Sequence, residues 1–210
     1  MSPVYYVGKA IVRLLFFLLT RREVKGRENV PSQGSLLIVA NHLHNADPPL
    51  LGISCGRNVI FMAKEELFRS RFIAYFMRRF GTFPVHRQKF GRATLRQARQ
   101  VLDDGMALAV FPEGKRSRSG QLEAALPGSA LIACRSGAPV LPVGITGTEQ
   151  VKGLAWILRR PRMTVNIGHP FYLTPTGGKL TRKELAELAD SIMKQIAELL
   201  PQEYRGNYKT

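Results

Sequence analysis

The sequence predicts a single α/β domain in which helices flank a mixed β-sheet, preceded by an N-terminal amphipathic helix. Short apolar runs alternate along the chain with stretches of helical periodicity, which is the pattern of an α/β fold. The length of 210 residues suits one domain, without an internal repeat or an interdomain linker. Two cysteines are too few for a disulfide framework or for a four-cysteine zinc site.

The first element is an apolar helix over residues 4–19. It spans about 24 Å, less than the ~30 Å hydrocarbon core of a bilayer. Lys9 and Arg13 share one face of this helix. Three more cations follow it: Arg21, Arg22 and Lys25. Apolar bulk with flanking cations is typical of a helix in the interface of an anionic membrane, although a helix packed on its own domain has a similar pattern.

Six short apolar runs bounded by turn residues predict the strands of the sheet. They cover residues 35–40, 59–63, 82–85, 106–111, 139–145 and 163–167. The fifth run contains Pro142, which cannot donate a ladder hydrogen bond. We therefore expect that strand at an edge of the sheet or at a bulge.

Helical periodicity fills the intervals between these strands. The predicted helices cover residues 48–54, 65–80, 92–102, 128–136 and 181–200. The last has the clearest signal, since Thr181 and Glu184 form a capping box ahead of regularly spaced Leu and Ile residues. Aromatic residues recur on one face of the second helix, and we expect this stripe to pack in the core.

The charge balance points to a polyanionic partner. The chain carries 31 Lys and Arg against 15 Asp and Glu, for a net charge of +16. Nucleic acid, an anionic membrane surface and a phosphate-bearing substrate all satisfy such an excess. The sequence has no helix-turn-helix, zinc-finger or RNP pattern, so we expect no nucleic-acid partner.

The most informative segment runs from Asn41 to Asp47, at the carboxyl end of the first predicted strand, where α/β folds place active sites. A turn there can bring the Asp47 carboxylate to one imidazole nitrogen of His42. The carboxylate would select the tautomer and leave the other nitrogen as a general base. A helix-capping Asp beside a surface His is the plainer alternative.

Three further segments follow in order: 81–87, which ends in Arg87; 111–117, Phe-Pro-Glu-Gly-Lys-Arg-Ser; and 141–144, Leu-Pro-Val-Gly. Together with the Asn41–Asp47 segment, they resemble the NHxxxxD, GxxFxxR-like, FPEGxxS and VPV-like blocks of the glycerolipid acyltransferase family, of the lysophosphatidic acid acyltransferase type. The resemblance implies an acyltransferase domain over residues 26–210, with a membrane-interfacial helix over residues 1–25.

The resemblance also implies catalytic roles. His42 deprotonates an acceptor hydroxyl, Asp47 orients His42, and the hydroxyl attacks an acyl thioester without a cofactor or a metal. Lys64 matches a family lysine after the second predicted strand and is our candidate donor to the tetrahedral oxyanion.

Five residues are the implied substrate-binding set: Asn41, Arg87, Glu113, Gly114 and Arg116. Arginine is suited to the glycerol phosphate because its planar fork meets phosphate oxygens bidentately. The implied reaction acylates the sn-2 hydroxyl of 1-acyl-glycerol-3-phosphate, giving phosphatidic acid for phospholipid biosynthesis. The donor is acyl-CoA or acyl carrier protein, and the place is the cytoplasmic face of the cell membrane, with the enzyme peripheral or monotopic. A different lysolipid acceptor is the alternative within the family.

A serine hydrolase is the alternative outside the family. Residues 52–56 fit the G-x-S-x-G pattern around Ser54, with Asp103 or Asp104 and then His169 in the expected order. That pattern needs a strand immediately before the serine, whereas the prolines that precede Ser54 predict a helix. His42 and His44 are not accompanied by further ligands at metal-binding spacing, so we expect no metal site.

Overall fold

A seven-stranded sheet organises the computed structural model, which describes residues 3–85, 91–174 and 180–209. The strands are β1 Arg21–Lys25, β2 Leu36–Ala40, β3 Val59–Lys64, β4 Thr82–Val85, β5 Ala107–Val110, β6 Val140–Thr146 and β7 Arg162–Ile167. Their order is β1-β7-β6-β2-β5-β3-β4. Neighbouring strands are parallel except β6 and β7, which are antiparallel. The predicted mixed α/β sheet is confirmed.

Helices cover both faces of this sheet. They are α1 Pro3–Leu19, α2 Asp47–Ser54, α3 Arg71–Arg79, α4 Arg92–Asp103, α5 Gly128–Ser136, α6 Trp156–Arg159 and α7 Arg182–Glu198. Side chains of α4, α5 and α7 pack on one face with Leu37 and Val39 of β2, while α1 and α2 pack on the other with Leu36 and Ile38. Two packed faces explain why every residue of β2 is buried.

The strand β1 is a difference from the sequence-based expectation. Residues 21–25 were expected to belong to the interfacial segment, but they pair in parallel with β7, from Arg21 beside Arg162 to Lys25 beside Asn166. Only Val24 of this strand packs against the core, which is why an apolar-run criterion misses it. The helix itself ends at Leu19.

The expectation that Pro142 marks an edge strand is wrong, whereas the alternative of a bulge agrees with the pairing. Between the Val140–Phe171 bridge and the Val143–Ile167 pair, two residues of β6 lie opposite three residues of the other segment. β6 lies third in the sheet, between β7 and β2. Pro142 faces the β7 side, where its carbonyl accepts from the backbone N–H of Gly168 at 2.9 Å. The regular antiparallel ladder begins at the next residue of β6, with the Val143–Ile167 pair. The missing proline N–H therefore falls at the end of a ladder, and an interior strand tolerates it.

The predicted helix over residues 65–80 is split, and its aromatic stripe is not core. A 3₁₀ turn covers Glu65–Phe68, and α3 follows. No described residue of α3 is buried; Phe72 is 73% exposed and Tyr75 is 50% exposed. Helical periodicity shows which residues share a face but not what covers that face.

One edge of the sheet collects the loops that carry the sequence motifs. β2, β5 and β6 are parallel, so the loops that follow them lie at the same edge. β7 runs antiparallel to β6, and β1 runs parallel to β7, so both begin at that edge too.

Within the described ranges, none of the helices combines the length and the apolarity of a membrane span.

Candidate active site

His42 and Asp47 lie in contact at the carboxyl end of β2. The Nδ1 atom of His42 is 2.7 Å from Oδ2 of Asp47. Asp47 is fully buried, and His42 is 7% exposed. Because Asp47 is the first residue of α2, its carboxylate lies at the positive end of the helix dipole. The same Oδ2 accepts from the backbone N–H groups of Leu43 and His44, so the turn folds around the carboxylate.

This contact determines which imidazole nitrogen can act as a base. A carboxylate on Nδ1 favours the tautomer that carries its proton there, and Nε2 is then left with a free lone pair. The ring of Phe111 stacks on the imidazole, with centroids 4.2 Å apart and planes 22° apart. The carboxylate and the aromatic ring together hold His42 in one orientation.

Thr148 completes the surroundings of the carboxylate, and sequence reasoning missed it. Its hydroxyl donates to Oδ1 of Asp47, and Thr148 is fully buried. It lies in the loop after β6, beside Gly147, whose φ of +85° belongs to the left-handed region. No sequence pattern links Thr148 to Asp47 across 101 positions; only the adjacency of β2 and β6 brings them together.

Glu113 is hydrogen-bonded to the backbone of the loop that follows β2 and carries His42. It is 3% exposed, and burial raises its pKa to about 7. Its Oε1 accepts from the backbone N–H of His42 at 3.0 Å, and its Oε2 accepts from that of Glu123 at 3.1 Å. The backbone N–H of Ser117 also donates to the carbonyl of His42 at 2.7 Å. The FPEG segment therefore braces the backbone at His42.

Asn41 has a similar backbone-directed geometry. Its amide donates to the carbonyl of Ile145 at 2.8 Å and accepts from the N–H of the same residue at 2.7 Å. Asn41 is only 1% exposed. Its side chain thus extends the pairing of β2 with β6 by one position and fixes where the loop with His42 begins.

The remaining predicted residues are placed differently from one another. Lys64 and Gly114 line the same cavity as His42, and the Lys64 ammonium is 2.9 Å from Oε1 of Glu66. Arg116 is exposed near His44. Burial lowers the pKa of His44; the charge of Asp47 opposes this shift, and Arg116 adds to it. Arg87 lies outside the described residues.

An apolar cavity of about 740 Å³ extends from His42, a size typical of ligand sites. It passes between β3 and α1 and reaches the end of α3. Its apolar lining includes Tyr5, Val12, Phe61, Met62, Met77, Phe80, Leu126 and Leu131. Gly114 has a φ of +68°, and a Cβ there would lie 2.5 Å from Leu126, so this wall depends on glycine.

The serine-hydrolase interpretation of residues 52–56 is wrong. Ser54 lies in the last turn of α2, where it is 2% exposed. Its hydroxyl donates to the carbonyl of Leu50 at 2.7 Å. A nucleophile elbow requires an exposed serine between a strand and a helix. In the described part of the chain, no group of three His, Cys, Asp or Glu side chains is arranged to hold a metal ion.

Comparison with known proteins gives concordant matches. A family model described as "Acyltransferase" matches residues 21–146, from the start of β1 to the end of β6. The chain is 26% identical over 178 residues to the 1-acyl-sn-glycerol-3-phosphate acyltransferase of Bacillus subtilis, covering 84% of this chain and 87% of the relative. It is 27% identical over 197 residues to the Streptococcus pneumoniae protein of the same name, covering 92% of this chain and 72% of the relative.

A solved structure is similar over most of the fold. The crystal structure of the 1-acyl-sn-glycerophosphate acyltransferase PlsC from Thermotoga maritima superposes with a TM-score of 0.68. The two sequences are 29% identical, and the match covers 90% of this chain and 77% of that one.

Proposed function

Since the chain belongs to the acyltransferase family, we propose that it moves a fatty acyl group from a thioester to the sn-2 hydroxyl of 1-acyl-glycerol-3-phosphate, giving phosphatidic acid. One observation carries this proposal: the oriented pair of His42 and Asp47 lies at an apolar cavity. The names of the similar proteins support the choice of acceptor.

The proposed chemistry uses His42 first as a base and then as an acid. Nε2 of His42 takes the proton of the acceptor hydroxyl as its oxygen attacks the thioester carbonyl carbon. The tetrahedral oxyanion collapses by breaking the carbon–sulfur bond, and the thiolate takes the proton back from His42. One ester forms and one thiol is released, while Asp47 stabilises the transient imidazolium.

Supporting roles follow from where the other residues lie. Lys64 lines the cavity with its ammonium held by Glu66, and we assign it to the oxyanion. Arg116 and Arg87 are assigned to the substrate phosphate. Asn41 and Glu113 bond to backbone groups around His42, so we assign them to positioning this residue.

The cavity suits an acyl chain. Its lining is predominantly aliphatic and aromatic, and it starts where the reacting carbonyl must lie. Burial of apolar surface stabilises a bound chain by about 0.8 kcal/mol per methylene. We therefore expect a long acyl group to bind better than a short one.

Membrane contact is the proposed setting of the reaction. Seven large apolar side chains of α1 are each at least 47% exposed: Tyr6, Val7, Ile11, Leu14, Leu15, Phe17 and Leu18. Lys9 faces the domain instead, where its ammonium donates to the carbonyl of Arg57 at 2.9 Å. The helix therefore presents an apolar surface outward, as a helix seated at the cytoplasmic face of a membrane requires.

The helix α3 lies beside α1 and extends that surface. Phe80 packs against Tyr5, with ring centroids 6.2 Å apart. A Cβ at Gly8 would lie 2.2 Å from the ring of Phe80, so the close approach depends on glycine. Beyond this contact, Phe72 and Tyr75 of α3 are exposed. We propose that both helices rest on the same lipid surface.

The deciding experiment measures acyl transfer to lysophosphatidic acid from acyl-CoA and from acyl carrier protein, by wild type and by His42→Ala. General-base catalysis contributes about 10²- to 10⁴-fold, so we expect kcat of His42→Ala to fall by that factor. Ser54→Ala is the matched control and should retain activity. An active His42→Ala enzyme would remove the proposed base, and faster acylation of another lysolipid would replace the proposed acceptor.

A further inference from the structure

Five arginines line a cleft of about 490 Å³ that the proposed reaction does not use. We call this site the arginine cleft; its cations are Arg21, Arg22, Arg159, Arg160 and Arg162. Glu23, Gln150 and Pro161 complete the lining. Five positive charges and one negative charge leave a net +4 in the cleft. It shares no lining residue with the cavity at His42.

Most of this charge has no partner within the protein. Glu23 pairs with Arg162 at 2.6 Å, and it also contacts Lys25 at 3.2 Å. Arg160 donates to the carbonyl of Phe17 at 3.1 Å. Among the residues that the structure describes, the guanidinium groups of Arg21 and Arg159 form no hydrogen bond or ion pair. Arg22 shares the face of β1 with Val24, and its charged neighbours are Arg13 and Arg27. Clustered, unpaired guanidinium groups attract an anion, and their planar forks match phosphate oxygens.

The arginine cleft lies at the same edge of the sheet as His42. β7 begins beside the end of β6, since Thr164 pairs with Thr146, and β1 begins beside β7. β1 and β2 are separated by β7 and β6, which corresponds to about 14 Å across the sheet. A membrane that faces the loop with His42 is therefore close enough to contact the arginine cleft as well.

Apolar side chains border the cleft. In and just before α6, Leu154 is 82% exposed and Leu158 is 90% exposed. Arg160 ties this helix to Phe17, which is itself 71% exposed at the end of α1. A soluble phosphate has no apolar group that could contact these leucines. A lipid offers both a phosphate for the cations and acyl chains for the leucines.

We propose that the arginine cleft binds the phosphate headgroup of an anionic phospholipid of the membrane while Leu154 and Leu158 insert among its acyl chains. This lipid is separate from the acyl acceptor at His42. The inference rests on the membrane setting of the proposed function. It adds a discrete headgroup site at the starts of β1 and β7. A lipid bound there would hold the sheet edge that carries His42 against the bilayer.

The test compares two charge-matched variants. Arg21→Gln with Arg159→Gln removes two unpaired cations of the cleft. Arg96→Gln with Arg135→Gln removes two exposed cations from α4 and α5, on the other side of the sheet from α1. Binding is measured to vesicles of phosphatidylcholine with and without phosphatidylglycerol. Each basic residue near an anionic surface contributes about fivefold, so the cleft variant should lose on the order of 30-fold and the control less than about twofold.

Trp156 provides a local readout, because it is the only tryptophan of the chain and lies in α6. Anionic vesicles should shift its emission to shorter wavelength, and lipids brominated on their acyl chains should quench it, in wild type and in the control variant only. Inorganic phosphate alone should produce neither effect. If inorganic phosphate reproduced the shift, the ligand would be a soluble phosphate and the headgroup assignment would be overturned.

A second variant separates a built site from diffuse attraction. Arg21→Lys with Arg159→Lys keeps both charges but loses the planar forks, and we expect vesicle binding to weaken by at least about threefold. Unchanged binding would mean that the cleft attracts lipid through its charge alone, and the proposal of a discrete headgroup site would be overturned. Acyl transfer in neutral detergent micelles should be the same in wild type and in all these variants. If the wild type itself showed no acyl transfer in micelles, the proposed function would be contradicted rather than the headgroup site.

Discussion

At the residue scale, the buried carboxylate of Asp47 is the centre of the candidate site. It receives four hydrogen bonds, from His42 Nδ1, from two backbone N–H groups and from Thr148. Donors on both oxygens stabilise a charge that burial would otherwise disfavour. The arrangement holds His42 in a single tautomer.

Thr148→Val should lower kcat by about tenfold and leave KM unchanged, because a buried acceptor that loses its donor costs about 1–3 kcal/mol. Thr148→Ser restores the hydroxyl and should recover most of the activity, which a purely steric defect would not allow. Thr94→Val on α4 is the matched control for a buried threonine. Steady-state kinetics decide the question, and equal rates for Thr148→Val and wild type would mean that this hydroxyl does not position Asp47.

Glu113 predicts a pH dependence of stability. Its pKa is about 7 in the folded chain, against about 4.3 in an unfolded one. The folded state therefore binds more protons between these values, and the contribution of Glu113 to stability is lost as the pH rises through 7. Relative to Glu113→Gln, the wild-type free energy of unfolding should fall by on the order of 2–3 kcal/mol between about pH 4.5 and 8. Denaturant titrations at several pH values test this, and parallel pH curves for the two proteins would refute it.

At the element scale, the orientation of α1 is what relates the fold to a lipid surface. Tyr5 is buried, and its hydroxyl oxygen accepts from the backbone N–H of Val59, while Val12 and Phe16 pack against the core. These contacts fix which side of α1 faces outward. The exposed side of α1 is almost entirely apolar. An apolar surface of this kind marks a contact with a partner or a membrane rather than with water alone.

Leu14→Ser with Phe17→Ser should weaken binding to phospholipid vesicles by about tenfold or more per side chain, since each loses roughly 1.5–3 kcal/mol of apolar burial. Both side chains are more than half exposed in the free protein, so its thermal unfolding should hardly change. Tyr172→Ser, at a residue 68% exposed near the start of β6, is the control. Vesicle co-sedimentation measures the effect, and wild-type binding by the α1 variant would exclude α1 from the contact.

At the scale of the whole molecule, the net charge of +16 acts together with the shape of the sheet edge. The loop with His42 and the starts of β1 and β7 share that edge, so the arginine cleft and the candidate active site lie on the same side of the molecule. Long-range attraction would bring this side toward an anionic bilayer.

Salt should therefore weaken activity on anionic vesicles. Raising the ionic strength from about 0.1 to 1 M shortens the Debye length from about 10 to about 3 Å, and we expect the apparent vesicle affinity to fall by about tenfold or more. Lysophosphatidic acid in neutral micelles is the control and should show a much smaller dependence. The measurement is acyl transfer against vesicle concentration at each salt level; a salt-independent affinity would show that charge does not guide docking.

The sequence predicted the α/β class, and it placed six of the seven strands from apolar runs or from alternation. It also predicted the contact of His42 with Asp47, because five positions and one turn separate them. It missed β1, whose cations conceal a strand. For the strand with Pro142 it offered an edge or a bulge, and the strand is interior with a one-residue shift of register beside the proline. It assigned Glu113 and Asn41 to the substrate, whereas their polar atoms bond to the backbone around His42.

The sequence by itself therefore determined most of the elements and the contact of His42 with Asp47, because periodicity, turn chemistry and motif spacing act over a few residues. Only the tertiary structure decided which strands neighbour one another, that Thr148 reaches Asp47, that α1 turns its apolar face outward, and that distant arginines form one cleft. These features join segments that are distant in the chain, by as many as 143 residues for Arg160 and Phe17, and their geometry depends on the order of strands in the sheet, which local patterns do not encode.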